Sequence, residues 1–324
     1  MKLILDFMYL SLFLLLGWFI REKVTILQKV FIPSSVIGGL LLLIMGPQIL
    51  NVVPISEGVS KYPSFLIIII LTCLVFGADL NVKRARSYAD YTFVGAATYG
   101  AQLFFGVLVG LLLSKIWKGL PPNWGLVSIY SFFAGHGAAG SAAQLFIEGG
   151  YPDFMGIAMI TSTIGLVAAL SIGMPIVNWG IRKGYTEYVD KPEKLPADYF
   201  GGVKPVEKQV PIGRVKTSTA GINPIALQMA FIALCIMLGY AIRELGSTYI
   251  SDGFSKVNDI VLGIIGAIII WPLMVKTGAD QYVDKTTVTN ISGFALEYLI
   301  VAAVGTINSA AMESYIVPIE IYCI

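Results

Sequence analysis

Charged residues divide this chain into long apolar intervals. Lys118 and Glu148 bound one that holds no ionised side chain, and comparable intervals recur along most of the sequence. About 20 apolar residues cross a bilayer as a helix. Backbone in lipid must satisfy its own hydrogen bonds, which restricts spanning structures to helices and closed barrels. The 324 residues are 56% hydrophobic and 13% charged, about half the charge of a soluble domain. The expected fold class is an all-α polytopic membrane protein. A net charge of +2 says little about partners, and no basic cluster is dense enough to suggest nucleic acid, so no nucleic-acid partner is expected. Cys73, Cys235 and Cys323 are scattered in apolar segments and have neither metal-ligand nor disulfide spacing, so they are expected to be packing residues.

The start, from Met1 to Ile20, imitates a signal peptide. It lacks a small-residue cleavage site and runs straight into Arg21-Glu22-Lys23, so it is expected to be a retained first span, with Asp6 reaching headgroups or water near its outer end. Further spans are expected at about Ile32–Leu50, Ser64–Leu80, Tyr91–Leu113 and Phe154–Ile181, then at Pro224–Ile242, Val257–Val275 and Ile291–Ile307, with a last apolar piece at Tyr315–Ile324. Residues 182–222 contain Pro192, Pro196, Pro205 and Pro211 among mixed charges, and predict an extra-membrane linker with little fixed structure. With the N-terminus outside, 16 Lys and Arg fall in inner loops and 6 in outer ones. That bias makes the linker cytoplasmic.

An internal repeat is visible. Leu16-Gly17-Trp18-Phe19-Ile20-Arg21-Glu22 matches Leu238-Gly239-Tyr240-Ala241-Ile242-Arg243-Glu244 at an offset of 222 residues. Val36-Ile37-Gly38 matches Val261-Leu262-Gly263 at 225, and Gly77 matches Gly305 at 228. An odd number of spans per copy reverses the second copy in the membrane, which predicts inverted five-span repeats. Residues 1–181 form the first repeat, 182–222 the linker and 223–324 the second repeat. That second repeat is incomplete, short of the first by about 80 residues. The expectation is a truncated or prematurely stopped product.

The stretch from Ser131 to Gln144 has Gly, Ala and Ser where a spanning helix would carry Leu, Ile and Val. Its small residues let backbones approach closely, and non-helical backbone at membrane depth must be packed in protein or line a wet cavity. A re-entrant, broken-helix segment over residues 124–146 is expected; the alternative is an ordinary helix whose glycines only permit close packing. A broken helix presents free N–H groups to a substrate carboxylate and free carbonyls to a cation such as sodium. The candidate substrate-binding residues are Ser131, Gly135, His136, Gly137, Ser141 and Gln144. His136 is the single histidine and could also serve as a proton relay or an internal cap. Candidate ion-binding residues are Thr161, Ser162 and Thr163, hydroxyls that commonly bond back to their own turn, and Glu297, a carboxylate within an apolar stretch. Asp79 lies near an inner end. Arg21 and Arg243 are expected to anchor spans or pair with neighbouring glutamates. No nucleophile pairing, acidic dyad or metal cluster accompanies the histidine, which argues against an enzyme.

Ala134-Gly135-His136-Gly137-Ala138 resembles the Gly-Gly-His-Gly-Thr segment of the bacterial sodium:glutamate symporter family. Ile32-Pro33 with Val36-Ile37-Gly38-Gly39, Leu145-Phe146-Ile147-Glu148 and Thr163-Ile164-Gly165-Leu166-Val167 extend the resemblance to almost the whole chain. It implies a ten-span, inverted-repeat, homodimeric carrier in the bacterial inner membrane. Such a carrier couples sodium entry to uptake of glutamate or a related dicarboxylate by an elevator-like movement, and needs no cofactor beyond the coupling ion. Ala134 and Ala138 replace the motif's first Gly and its Thr, removing one hydroxyl. A transport-inactive remnant, or a membrane interaction partner, is the competing expectation.

Overall fold

In a computed structural model, the structure of the protein describes residues 2–29, 32–78, 89–117, 120, 123–151, 154–185, 204, 206–218, 220–257 and 259–306. Asp79, most of the linker and the apolar piece Tyr315–Ile324 lie outside them. The described residues are helical, with no strand among them. The α-helices are α1 (Lys2–Lys23), α2 (Thr25–Lys29), α3 (Ser34–Met45), α4 (Tyr62–Val75), α5 (Ala89–Ile116), α6 (Val127–Glu148), α7 (Phe154–Ala168), α8 (Met174–Lys183), α9 (Pro224–Tyr249), α10 (Asp259–Thr277) and α11 (Lys285–Gly305). Six helical stretches among the described residues, carried by α1, α4, α5, α9, α10 and α11, are long and apolar enough to cross a membrane. The protein is a multi-pass membrane protein.

Several boundaries differ from expectation for local reasons. The second span shortens to α3, 12 residues or about 18 Å of rise. Gly46 adopts extended backbone before Pro47, as a residue preceding proline prefers, and Val52 and Val53 then donate to the Met45 carbonyl at 2.9 Å. The fifth span divides into α7, a π-helical turn at Ala169–Gly173, and α8. Pro175 follows that turn and has no N–H to return to residue 171, so the ladder cannot continue there as a regular α-helix. α9 continues past Ile242 because Arg243 finds partners at its surface. It contacts Asp259, lies 4.8 Å above the Tyr240 ring and reaches the Val257 carbonyl.

The chain divides into two compact units. The first comprises described residues within Met1–Lys61, Val94–Gln209 and Ile300–Ile324, the second those within Tyr62–Phe93 and Val210–Leu299. In the first unit α1 crosses α3 at bare backbone. A methyl on Gly17 would strike the Ser34 carbonyl, and one on Gly38 the Phe13 carbonyl. Gly39 of α3 faces Val304 and the Ile300 carbonyl, and Gly305 lies on Leu42. The second unit repeats the scheme with other helices. Gly239 of α9 abuts the Leu262 carbonyl, Gly266 of α10 abuts the Cys235 carbonyl, and Gly263 faces Thr72 of α4.

These contacts fall on the repeat offsets. Phe13 and Cys235 are 222 residues apart, Gly38 and Gly263 are 225 apart, and Thr72 and Ile300 are 228 apart. Arg21 Nε donates to the Ile32 carbonyl at 2.9 Å, and Arg243 Nη1 to the Val257 carbonyl at 3.4 Å. The two arginines therefore brace the residues just ahead of α3 and α10; for Arg243 the acidic partner is chiefly Asp259, since the neighbouring Glu244 stands 3.7 Å away. Asp6 is buried rather than reaching outward, and accepts from the N–H and the hydroxyl of Ser56. Its counterpart Gln228 accepts from the N–H of Asp284 at 3.3 Å. α1 thus holds Ser56, ahead of the 3₁₀ turn that leads into α4, and α9 holds Asp284, ahead of α11. The later turns of α4 pack on α10, and those of α11 pack on α3.

The linker is not featureless where it is described. The strap 212–216 is fastened to the start of α11. Asp284 accepts from the N–H groups of Arg214 and Thr287 and from the Thr287 hydroxyl. Lys216 Nζ donates to the Val283 carbonyl at 2.7 Å, and Asn290 Nδ2 to the Ile212 carbonyl at 2.7 Å. Burial pushes the Asp284 carboxyl up, but these donors and Lys216 together hold it below its ordinary 3.8.

Gly266→Ala should lower thermal stability in detergent by an overpacking cost of about 1–3 kcal/mol, because the carbonyl it meets is backbone and cannot turn aside. Gly95→Ala, in open space on α5, should be neutral or stabilising by about 0.5–1 kcal/mol. Thermal unfolding of the two variants compared with the parent chain checks both signs.

Candidate functional site

The sequence-predicted site falls on α6 and α7. The entry to α6 is set by a 3₁₀ turn, Trp124–Leu126, packed against α5. Gly125 and Gly110 meet so closely that neither tolerates a side chain, and the buried Trp124 indole donates to the Gly110 carbonyl at 2.9 Å. Neither role was anticipated, although the spacing of Gly106 and Gly110 is a small-xxx-small signal of close helix approach.

From Val127 the helix runs to Gly135 and there breaks. Gly135 has φ 69° and ψ −163°, while the turns on either side are helical. This combination belongs to a region essentially confined to glycine. The interruption frees carbonyls in the turn before Gly135 and N–H groups in the turn after it. By the geometry of helix ends, the N–H groups expected to lose partners are those of residues 136–138 and the carbonyls those of residues 131–134. The halves carry opposite partial charges at the break, positive where the second half begins and negative where the first ends. A carboxylate and a cation can therefore be held side by side without any ionised side chain.

Gly150, at φ 96°, then turns the chain back, and α7 packs along α6. Phe146 stacks on Phe154 with ring centroids 4.0 Å apart. Ala139, Ala143, Ile157 and Ala158 fill the seam, and Gly165 gives room to the Phe132 ring. Ser131 and Ser162 converge on one backbone oxygen, the Ala158 carbonyl, at 3.5 and 2.9 Å. Thr161 donates to the Ile157 carbonyl at 2.8 Å. All three hydroxyls are buried. Their protons are engaged, so what they offer a ligand is oxygen lone pairs, which suits a cation better than an anion.

Ser131, Gly135, Thr161 and Ser162 thus share the α6–α7 pair. The backbones of His136, Gly137, Ser141, Gln144 and Thr163 lie on the same two helices, and their side chains fall outside what the structure describes. Glu297 is different: it sits on α11 in the other unit and is exposed. Among described residues no group of three or more His, Cys, Asp or Glu is placed to hold a metal ion.

A family model described as Sodium/glutamate symporter matches residues 2–323. The chain belongs to the sodium/glutamate symporter family. It is similar to the sodium/glutamate symporters of Escherichia coli (strain K12) and Shigella flexneri, each 29% identical over 251 residues, covering 72% of this chain and 56% of the relative. The sodium/glutamate symporter of Haemophilus influenzae (strain ATCC 51907 / DSM 11121 / KW20 / Rd) is 22% identical over 332 residues, covering 94% of this chain and 78% of that one. The chain therefore spans little more than half the length of the first two relatives. No solved structure matches it. Within the symporter family match, the break at Gly135 lies in the first half of the chain and the α6–α7 seam reaches its midpoint.

Gly135→Ala should cost about 1–3 kcal/mol of backbone strain, although nothing lies within 4 Å of the added methyl. Gly180→Ala, also in open space but without a positive φ, should cost nothing. A lower melting temperature for the first variant alone checks the assignment; equal melting temperatures would show that α6 has no break.

Proposed function

We propose that this chain is the sodium-coupled glutamate carrier, or the carrier of a related dicarboxylate, that its family membership suggests. The observation that supports the reading best is the break at Gly135, since a helix start offers peptide N–H groups to an anion, here in an interval that carries no lysine or arginine. The amides of Gly135, His136 and Gly137 hold the substrate carboxylate, with Ser141 and Gln144 as side-chain partners, while Ser131, its proton on the Ala158 carbonyl, faces the cationic groups. Thr161, Ser162 and Thr163 supply oxygens to the sodium ion, and Glu297 is a second candidate for ion contact. With Ala138 where the family motif has Thr, more of the grip falls on backbone.

The architecture proposed with it is an inverted repeat, residues 1–181 and 223–324, joined by a cytoplasmic linker over 182–222. The recurrence of the Arg21 and Arg243 braces, and of the Asp6–Ser56 and Gln228–Asp284 bonds, supports the repeat. Alternating access, a homodimer, and an inner-membrane location with the N-terminus outside complete the reading.

Purified chain in proteoliposomes tests it. Radiolabelled glutamate should accumulate under an inward sodium gradient and cease to accumulate when sodium is equal on both sides. Gly135→Ala should lower the initial rate by about tenfold or more, because the reacting dipoles lose their alignment. Uptake indifferent to sodium would remove the coupling, and absence of uptake would remove the carrier function.

A further inference from the structure

The strap that fastens the linker to α11 also roofs a cavity of about 670 Å³ in the second unit, within the range of about 300–1,000 Å³ typical of ligand sites. Its walls are Ile212 and Val215 from the strap, Ile225 and Met229 from α9, and Ile291 and Phe294 from α11. Arg214 joins the lining at the strap. Three properties identify what fits. The apolar wall runs onto the exposed faces of two spans, where Ile225 is 52% and Phe294 is 56% exposed, so an occupant must be compatible with lipid. A peptide chain there would leave its backbone unsatisfied. The strap also alternates exposed apolar and basic residues. Val210, Ile212 and Val215 are all exposed, and residues 210–218 hold Arg214 and Lys216 with no acidic residue among them. That pattern places apolar stems in the interfacial layer and cations at the headgroups.

The remaining property concerns charge. Asp284 uses the backbone N–H of Arg214, Lys216 is turned to the Val283 carbonyl, and Asn223 caps the start of α9 through Ile225 and Ala226. The two helix N-termini are thereby satisfied from within. The Arg214 guanidinium has no polar partner among the described residues, and its fork matches a phosphate.

We propose that this cavity is a binding site for one anionic phospholipid, an acyl chain lying between α9 and α11 under the strap and the phosphate held by Arg214. The lipid ties the linker to the membrane surface. The site is independent of glutamate transport and stands or falls separately from it.

Native mass spectrometry of the detergent-solubilised full chain, titrated with phosphatidylglycerol or phosphatidylcholine of the same acyl composition, tests the proposal. Phosphatidylglycerol adducts should be retained about fivefold over phosphatidylcholine, whose choline cation offsets the same phosphate, as one protein cation near a lipid of net negative charge provides. Arg214→Gln should bring the two lipids to parity, whereas Lys61→Gln, an exposed lysine of the other unit, should change nothing. The double variant Ile212→Ser, Val215→Ser should weaken retention of both lipids, and glycerol phosphate, a headgroup without chains, should not compete. Equal retention of the two lipids by the parent chain would overturn the proposal, as would an Arg214→Gln variant that keeps the preference or full displacement by glycerol phosphate.

Discussion

A peptide group in lipid has no water to fall back on, and this constraint governs the whole molecule. It makes every described span a helix. Because lipid gives helices little hydrophobic reason to associate, it also shifts the contacts that hold them together onto close backbone approach. Glycines 17, 38, 125, 239 and 266 each sit where a single methyl would collide with the backbone of a neighbouring segment. The same constraint makes the interruption at Gly135 conspicuous. Peptide groups left without partners in an apolar interval are costly unless something fills them, and the proposed filling is a carboxylate with its counter-cation.

The polar side chains divide into two kinds. Asp6, Gln228, Arg21, Arg243 and Asp284 brace helix starts and loop carbonyls, and the first four recur in pairs at the 222-residue offset. Ser131, Thr161 and Ser162 instead turn their protons onto carbonyls of α7 and leave lone pairs over. The first kind fixes the scaffold. The second kind belongs with the broken helix, where the proposed site forms.

Much of this was legible beforehand. Charge spacing located the spans because a charge rarely sits mid-membrane, and the dense Gly, Ala and Ser around Gly135 marked the helix that breaks. The Arg-Glu pair after Leu-Gly revealed the register in which the paired braces fall. Other features were not legible. Asp6 looked interfacial, because nothing local points to Ser56, fifty residues away. Gly39 and Gly263 announce close packing but not the partner, so the seating of α11 on α3 and of α4 on α10 depends on tertiary structure alone. The clamp at Asp284 was hidden in a linker whose prolines and charges suggested no fixed form. The hydroxyls of α7 allowed two readings, ligand or back-bond, and the geometry shows the back-bonds while leaving their lone pairs free.

Backbone hydrogen exchange across residues 131–144, followed by mass spectrometry, bears most directly on whether bare peptide dipoles grip the solute. The account predicts that amides 136–138 exchange readily in the empty protein and become protected when glutamate and sodium are present together, with little change from either alone. Unchanged exchange at those amides, with ligand-dependent protection appearing elsewhere in the chain, would contradict it.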